Sequence, residues 1–282
     1  MVDLACRLPG PAGRPVSQWD CTELARQLVS DGVVTAISAA TVRRILARHR
    51  LRPWRSHRWL HPRRPRDATF LAQVRALADL YSRPLGPEEV VICLDEMTAL
   101  APRPRLAPTR PAQPGRPQQV EHEYRRDGAL NVLAAFNTRD GSVSAYLCRR
   151  KRHVEILHLL DLLDGQLEAT ITTVHLVCDN VSTHTGDPIQ TWLAAHPRFV
   201  IHYTPVHSSW MNQIEQWFSI LARKRLRCPN FADLPALAVA LAAFIHDWNA
   251  HCHPFRWTAA SVDRVIATVE QALARTALRE AA

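Results

Sequence analysis

Two short apolar runs in this 282-residue chain each lead directly into an aspartate. The first is VVICL at 90–94, followed by Asp95, and the second is VHLVC at 174–178, followed by Asp179. Such continuous runs are typical of strands buried on both faces of a sheet. Sites in open α/β sheets form at the carboxyl ends of strands. The pattern predicts two carboxylates at one sheet edge, although an aspartate that only caps a turn would look the same.

The pattern of apolar residues in the rest of the segment 67–282 predicts a layered α/β core. Three further strands are expected at 130–137, 142–148 and 199–203, with helices at about 153–164 and 188–195. Asp140–Gly141 is typical of a hairpin turn between two of these strands. Six prolines between residues 102 and 117 exclude a strand or helix there. Strands that alternate with helices in this mixed order indicate an α/β fold.

Residues 1–66 are expected to form a small helical unit and a basic linker. Asp20 and Ser38 are suited to begin two helices as N-caps, with Gly32 between them. In the second helix the apolar spacing predicts a buried stripe of Val42, Ile45, Leu46 and His49. The pair is compatible with a helix-turn-helix, in which the second helix reads DNA, and equally with any small helical hairpin.

The linker is strongly basic. Residues 41–66 contain ten arginines and no acid, in a chain whose formal net charge is +9. The planar guanidinium fork suits phosphate, so this segment predicts contact with a DNA backbone, although a solvated linker has the same composition. The candidate DNA-binding residues are Arg43, Arg44, Arg48, Arg52, Arg55, Arg58, Arg63 and Arg64.

A third acid, Glu215, lies in a predicted helix with a distinct apolar face. That face consists of Ile214, Trp217, Phe218 and Leu221. The spacing places Asn212, Glu215 and Ser219 together on the adjoining flank of the helix. A carboxylate beside a buried stripe can face the rim of the core, although a solvated glutamate would fit the same spacing.

Glu96 competes with Asp95 for the predicted edge. Alternate side chains of an extended segment point to opposite faces, so only one of the two should face the site, and we expect Asp95. Asp95, Asp179 and Glu215 would then supply three carboxylates. Mg²⁺ prefers such oxygen ligands, and a pair of ions can activate water and stabilise a leaving oxygen in phosphodiester cleavage.

Other classes of protein are disfavoured. The seven cysteines form no C-x-x-C pair, and the spacing of His246, His251, Cys252 and His253 matches no common zinc module. The chain lacks the phosphate-binding loop of ATPases and the nucleophile elbow of serine hydrolases, so no nucleotide cofactor is expected. No apolar run reaches the roughly 18 residues of a membrane helix, and no signal peptide is evident, so we expect a cytoplasmic protein without a membrane partner.

Four segments resemble the bacterial insertion-sequence branch of the mariner superfamily of DDE transposases. They are LDE at 94–96, EYRRDG at 123–128, CDNVSTH at 178–184 and TPVHSSWMNQIEQWFSILARK at 204–224. Between Asp179 and Glu215 lie 35 residues, a spacing similar to that of the branch. The resemblance extends over roughly residues 15–250, and its specificity comes from the order and spacing of the motifs.

The resemblance implies a ribonuclease H-like mixed five-stranded sheet flanked by helices. It implies dependence on Mg²⁺, with Mn²⁺ as a substitute and two ions expected. The implied activity is cleavage of double-stranded DNA at terminal inverted repeats and transfer into target DNA, by a homodimer on DNA in the bacterial nucleoid. By position, Asp95, Asp179 and Glu215 match the family's metal ligands, and Asn180 and His184 match its DN-x-x-x-H motif. Asn212 matches the segment that enters the glutamate helix, as do Ser208 and Ser209, for which an N-cap role is the simpler expectation.

One feature departs from the family. Its members usually carry a further helix-turn-helix segment before the one expected at 18–50, so the DNA-binding region is expected to be shortened. One alternative function is therefore a truncated or domesticated copy that binds its own DNA ends as a repressor without cutting them. A nuclease of the same fold that acts on RNA–DNA hybrids is a second alternative.

Overall fold

The structure, a computed structural model, describes residues 1–12, 16–55, 67–206, 208–255 and 259–280. They belong to two compact units, Met1–His61 and Pro62–Ala282. The boundary predicted at residue 66 lies outside the described residues, so the division into 1–66 and 67–282 stays a prediction. Among the described helices, none is long and apolar enough to span a membrane.

The elements of the described chain follow the predicted order. The helices are α1 Val2–Ala5, α2 Cys21–Ser30, α3 Ala39–Arg48, α4 Ala68–Ser82, α5 His153–Gln166, α6 Ser182–Thr185, α7 Asp187–Ala195, α8 Ile214–Lys224, α9 Leu234–Ala250 and α10 Ala259–Glu280. The strands are β1 Glu89–Leu100, β2 Leu130–Asn137, β3 Val143–Cys148, β4 Thr173–Cys178 and β5 Phe199–Tyr203. A 3-10 turn, Ser209–Met211, precedes α8.

The first unit is built on α2 and α3. Asp20 accepts hydrogen bonds from the backbone N–H groups of Thr22 and Glu23, and Ser38 accepts one from Thr41, so both predicted N-caps are confirmed. The two helices pack around a small core that contains Trp19, Leu24, Leu28, Val42 and Leu46. His49 was predicted on the buried stripe, but it is exposed because α3 ends at Arg48 and His49 is its C-cap.

The second unit contains one five-stranded sheet with the order β3-β2-β1-β4-β5. β1 pairs with β2, and β2 with β3, in antiparallel fashion, whereas β1 with β4 and β4 with β5 are parallel. Gly141, in the predicted hairpin turn, has a φ of 83°, and a Cβ there would lie 2.1 Å from the backbone of His253. The turn therefore requires glycine at this position.

Both faces of the sheet are covered by helices. Val91 and Cys93 of β1 pack with α4, α8 and α9, whereas Val90, Ile92 and Leu94 pack with α5 and α7. This alternation follows from the two-residue period of a strand and explains the continuous apolar sequence of β1. The mixed sheet between two helical layers confirms the predicted α/β fold class.

β1 is longer than the sequence suggested. We expected the strand to end at Leu94, but it continues to Leu100, and Asp95 pairs with Ala134 of β2 inside it. The parallel pairing with β4 ends earlier, at Cys93 and Val177. Asp95 is therefore close to the end of the parallel part of the sheet, because the antiparallel neighbour alone supports the rest of β1.

Candidate active site

Asp95 is carried on the α8 face of the sheet. The alternation along β1 places it on the same side as Val91 and Cys93, and its Oδ1 accepts a hydrogen bond of 2.7 Å from the N–H of Glu96. Burial, together with the negative charges of Asp179, Glu96 and Glu215, raises the pKa of Asp95 to about 7. The carboxylate therefore lies in an acidic, partly dehydrated environment.

Asp179 follows the last residue of β4. Its side chain is about one-third exposed, and its Oδ1 lies 2.8 Å from Nδ1 of His184. The backbone carbonyl of Asp179 lies 3.2 Å from the same nitrogen. The imidazole N–H can therefore fix the orientation of the Asp179 carboxylate. The second oxygen of this carboxylate remains available to a ligand.

Glu215 lies in the first turn of α8, next to Ile214, Trp217, Phe218 and Leu221, which are all buried as predicted. Burial, and then the charge of Asp179, raises the pKa of Glu215 above its usual range. The first turn of a helix also favours a negative charge. The structure thus brings Glu215 within electrostatic reach of the two strand aspartates.

The three carboxylates do not form a closed ligand set in this conformation. Among the described residues, no group of three or more His, Cys, Asp or Glu side chains is placed to hold a metal ion. The chemistry of the donors nevertheless fits a hard divalent cation, which prefers carboxylate oxygens. Such a cation would also offset the mutual repulsion that contributes to the raised pKa values of Asp95 and Glu215.

Glu96 has a place at the site that the sequence interpretation missed. It lies on the α5 face of β1, where its Oε1 accepts a hydrogen bond of 2.8 Å from Nζ of Lys151. Its Oε2 lies 3.4 Å from Nε2 of His184, and neither atom has a hydrogen-bond partner of good geometry among the described residues. Treating Glu96 only as a competitor of Asp95 was therefore too narrow, because His184 connects it to Asp179.

His184 lies between two carboxylates, those of Asp179 and Glu96, and its side chain is only 1% exposed. Burial disfavours its charged form, but the hydrogen bond with Asp179 and the nearby Cys178 and Glu96 side chains outweigh this and raise the pKa of His184 to about 12. His184 and Lys151 in turn hold the pKa of Glu96 at about 2 despite its burial. Lys151, Glu96, His184 and Asp179 thus form a chain of alternating charge. The signal in the sequence was the alternation of side chains along β1, which sends Asp95 and Glu96 to different partners.

Asn212 was wrongly placed on a flank of the glutamate helix. It precedes α8 and is 1% exposed, and its Nδ2 donates a hydrogen bond of 2.9 Å to the carbonyl of Leu94. The cause is the 3-10 turn at Ser209–Met211, which delays the start of α8 until Ile214. Asn212 therefore connects the segment before Glu215 to the residue before Asp95.

Two further expectations concern residues near this segment. Ser208 does not act as a side-chain N-cap, since its Oγ is buried without a hydrogen-bond partner among the described residues and α8 begins after Gln213. Asn180 is exposed next to Asp179, where it can meet a ligand.

The candidate DNA-binding arginines of the first unit are exposed where they are described. Arg43, Arg44 and Arg48 lie on α3 away from Val42 and Leu46, and Arg52 and Arg55 follow that helix. Arg58, Arg63 and Arg64 lie outside the described residues. The assignment of all eight to DNA binding stays a prediction.

A family model described as "DDE superfamily endonuclease" matches residues 90–238. This range contains Asp95, Asp179 and Glu215 and covers more than half of the chain. The chain belongs to the DDE superfamily endonuclease family. The membership of the DDE group predicted from the sequence segments is therefore confirmed.

Comparison with known proteins supports the same relationship for this member of the DDE superfamily. The insertion element IS630 uncharacterized 39 kDa protein of Shigella sonnei is 28% identical over 222 residues. The match covers 78% of this chain and 61% of that protein. The chain therefore spans less than two thirds of the length of this relative.

Two solved structures share the fold. The Mos1 strand transfer complex matches with a TM-score of 0.56 and 16% identity, over 93% of this chain and 79% of that one. A mariner Mos1 paired-end complex with Mg matches with a TM-score of 0.54 and 14% identity, over 91% and 74% of the two chains. At this identity the likeness establishes the fold, and it confirms the predicted ribonuclease H-like arrangement.

Proposed function

We propose that this chain is a DNA transposase that cuts DNA strands at the terminal inverted repeats of its own element and transfers them into target DNA. The observation that supports the proposal is the electrostatic effect of Asp179 and Glu215 on Asp95, inside the region that matches the family. The relationship to an insertion-element protein and to Mos1 supports DNA as the substrate.

These three carboxylates would hold divalent metal, with Mg²⁺ as the cation, Mn²⁺ as a substitute and two ions as the number. Bound there, the metal would lower the pKa of water and stabilise charge on phosphate oxygens. His184 orients the Asp179 carboxylate through Nδ1, and Glu96 supports His184 from its other side. Asn212 maintains the position of α8 against β1. Asn180, exposed beside Asp179, would contact a phosphate of the bound DNA.

The first unit would hold the end of the element. Exposed arginines on α3 and after it suit the phosphates of double-stranded DNA, and α3 is the candidate reading helix. The family resemblance implies that two DNA ends are paired by two copies of the protein, so we infer a homodimer on DNA. Its place of action would be the bacterial cytoplasm, at the nucleoid.

The proposal is tested with a labelled duplex that carries the sequences flanking the gene. Purified protein is incubated with this duplex, an unlabelled target plasmid and Mg²⁺ or Mn²⁺, and cleavage and joining are measured on sequencing gels. We expect metal-dependent cuts at the repeat ends and joined products. Binding without cutting in both metals would favour the alternative of a silent, DNA-binding copy. Cleavage of an RNA–DNA hybrid in preference to the duplex would contradict the proposal in favour of a different nuclease.

A further inference from the structure

An exposed arm, residues 101–129, joins β1 to β2 within the second unit. It leaves β1 after Leu100, roughly 17 Å beyond Asp95 at about 3.3 Å per strand residue. Two isolated bridges, between Arg110 and Gln119 and between Gln113 and Arg116, hold its outer part together. The arm contains neither the three candidate metal-binding acids nor any of the eight candidate DNA-binding arginines, so no role has yet been assigned to it.

The base of the arm is fixed beside the end of α8, the helix that carries Glu215. The carbonyl of Pro102 accepts a hydrogen bond of 2.9 Å from the N–H of Phe231, and Asn230 Oδ1 accepts one of 3.1 Å from the N–H of Arg105. Arg225, just after α8, places its guanidinium 4.5 Å from the ring of Phe231. The base of the arm therefore follows β1 directly and is anchored to the segment after α8.

This base presents an ordered pair of arginines. The guanidinium groups of Arg103 and Arg105 lie over the ring of Tyr124, at 5.1 and 5.5 Å from its centre. Arg103 has a φ of 50°, a left-handed conformation that is costly for arginine and is often found at functional sites. The Nε of Arg105 is buried without a hydrogen-bond partner among the described residues. The aromatic ring thus holds two cations in place before any ligand arrives.

The arm carries a net positive charge. The segment contains six arginines against Glu121, Glu123 and Asp127. Glu121 accepts a hydrogen bond from the N–H of Ala107, and Asp127 lies 3.7 Å from Arg125. A cavity of about 300 Å³ adjoins the arginine pair and is lined by Pro104, Arg105, Leu106, Glu123, Tyr124 and Arg125. Glu123 alone contributes a negative group to its lining.

We propose that Arg103, Arg105 and Tyr124 form a phosphate-binding surface that holds the backbone of duplex DNA beyond the end of β1, roughly 17 Å from Asp95 along the strand. Paired guanidinium groups match the geometry of a phosphodiester, and their ordering on Tyr124 reduces the entropy lost on binding. The inference rests on the proposed function, since it places the DNA substrate, and it assigns a contact that the N-terminal arginines do not provide.

The test uses the full-length protein and a fluorescent duplex, with affinity measured by anisotropy over a range of salt concentrations. The logarithm of affinity falls with the logarithm of salt by about 0.9 per phosphate contact. The double variant Arg103→Gln/Arg105→Gln should therefore lower this slope by roughly 1.8. Its matched control is Arg75→Gln/Arg264→Gln, which removes two exposed arginines from α4 and α10 and should retain the wild-type slope.

Two tyrosine variants separate ordering from charge. Tyr124→Phe keeps the ring and should bind DNA as the wild type does. Tyr124→Leu should weaken binding roughly two- to fivefold, the equivalent of one exposed cation–π contact, with a nearly unchanged slope. Thermal melting of each variant verifies that it is folded.

The outcomes distinguish the inference from the function on which it rests. An unchanged slope in the arginine pair variant, with intact wild-type binding, would overturn the role of the arm alone. Loss of self-association in sedimentation, again with an unchanged slope, would also overturn it and would assign the arm to a protein contact. A wild type that binds no duplex at any salt concentration would contradict the proposed function and the arm's role together.

Discussion

The Nδ1 of His184 lies 2.8 Å from Oδ1 of Asp179. The contact links the helix after β4 back to the carboxylate at the end of that strand. Since His184 is almost completely buried and also faces Glu96, it holds two carboxylates that would otherwise repel each other. The imidazole is thus part of the site's construction and determines where the Asp179 carboxylate points.

Replacement of His184 by alanine should reduce both stability and activity. It would leave Glu96 and Asp179 without their shared cation, and breaking a buried pair costs about 3 kcal/mol. Urea unfolding measures this loss, and the cleavage rate should fall because Asp179 is no longer oriented. His158→Ala is the matched control, since His158 is exposed on α5 and its loss should change stability by less than about 0.5 kcal/mol. Equal stability of the two variants would contradict the assigned role.

Asn212→Leu should loosen the packing of the segment before α8, which carries Glu215, against β1, which carries Asp95. It removes the hydrogen bond from Nδ2 to the carbonyl of Leu94, and the cost of a lost buried hydrogen bond is about 1–3 kcal/mol. We expect a lower unfolding midpoint and slower cleavage with unchanged DNA affinity. Asn180→Leu changes the same side chain at an exposed position and should leave the unfolding midpoint close to that of the wild type. If Asn212→Leu cuts DNA at the wild-type rate, Asn212 does not position α8.

Trp217 should be sensitive to loss of volume and insensitive to loss of its N–H. It is fully buried, and its Nε1 has no hydrogen-bond partner among the described residues. Trp217→Ala should cost about 3–5 kcal/mol because it leaves a large cavity, whereas Trp217→Phe should cost clearly less. Trp210, which is 42% exposed, provides the control Trp210→Ala. A Trp217→Phe variant as unstable as Trp217→Ala would indicate an essential hydrogen bond at Nε1.

Glu89 should make stability depend on pH in the acid range. Hydrogen bonds from Arg83 and from the N–H of Gly86 lower its pKa from 4.5 to about 2. Because the folded-state pKa is depressed, the stabilisation is complete above about pH 4.5 and is lost as the pH falls towards 2. Glu89→Gln should therefore be less stable than the wild type at pH 7, with a smaller difference at pH 3.

Urea midpoints at pH 7, 5 and 3 measure this dependence. Arg83→Gln removes the partner and should reproduce the effect, and the double variant should lose less than the sum of the two single losses. A difference between Glu89→Gln and the wild type that stays constant from pH 7 to pH 3 would contradict the lowered pKa.

The strands, and the positions of Asp95 and Asp179 after them, could be predicted from the sequence because they depend on local residue patterns. Burial on both faces gives VVICL and VHLVC their continuous apolar character, and each run places its aspartate at the same edge. The buried stripe of α8 likewise follows from helical spacing, so the surroundings of Glu215 were predicted correctly.

The contacts made by Glu96 and Asn212 could not be predicted from the sequence because they depend on the tertiary structure. The contact of Glu96 with His184 joins residues that are far apart in the chain, and only the packing of β1 beside β4 brings them together. Asn212 was misplaced since a 3-10 turn leaves no clear periodic signal and shifts the start of α8. The extension of β1 beyond Asp95 was missed because pairing with β2, rather than apolar character, sustains it.

We propose that Asp95, Asp179 and Glu215 act together as the metal-holding acids of a DNA-cutting site. The most direct measurement compares Mn²⁺-dependent cleavage of the gene-flanking duplex by the wild type and by Asp95→Asn, Asp179→Asn and Glu215→Gln, with DNA affinity measured in parallel. Glu88→Gln, an exposed carboxylate before β1, is the control and should cut normally. We predict that each of the three variants binds DNA like the wild type and fails to cut it. Wild-type cutting by any one of them would contradict the assignment of that acid and of the triad.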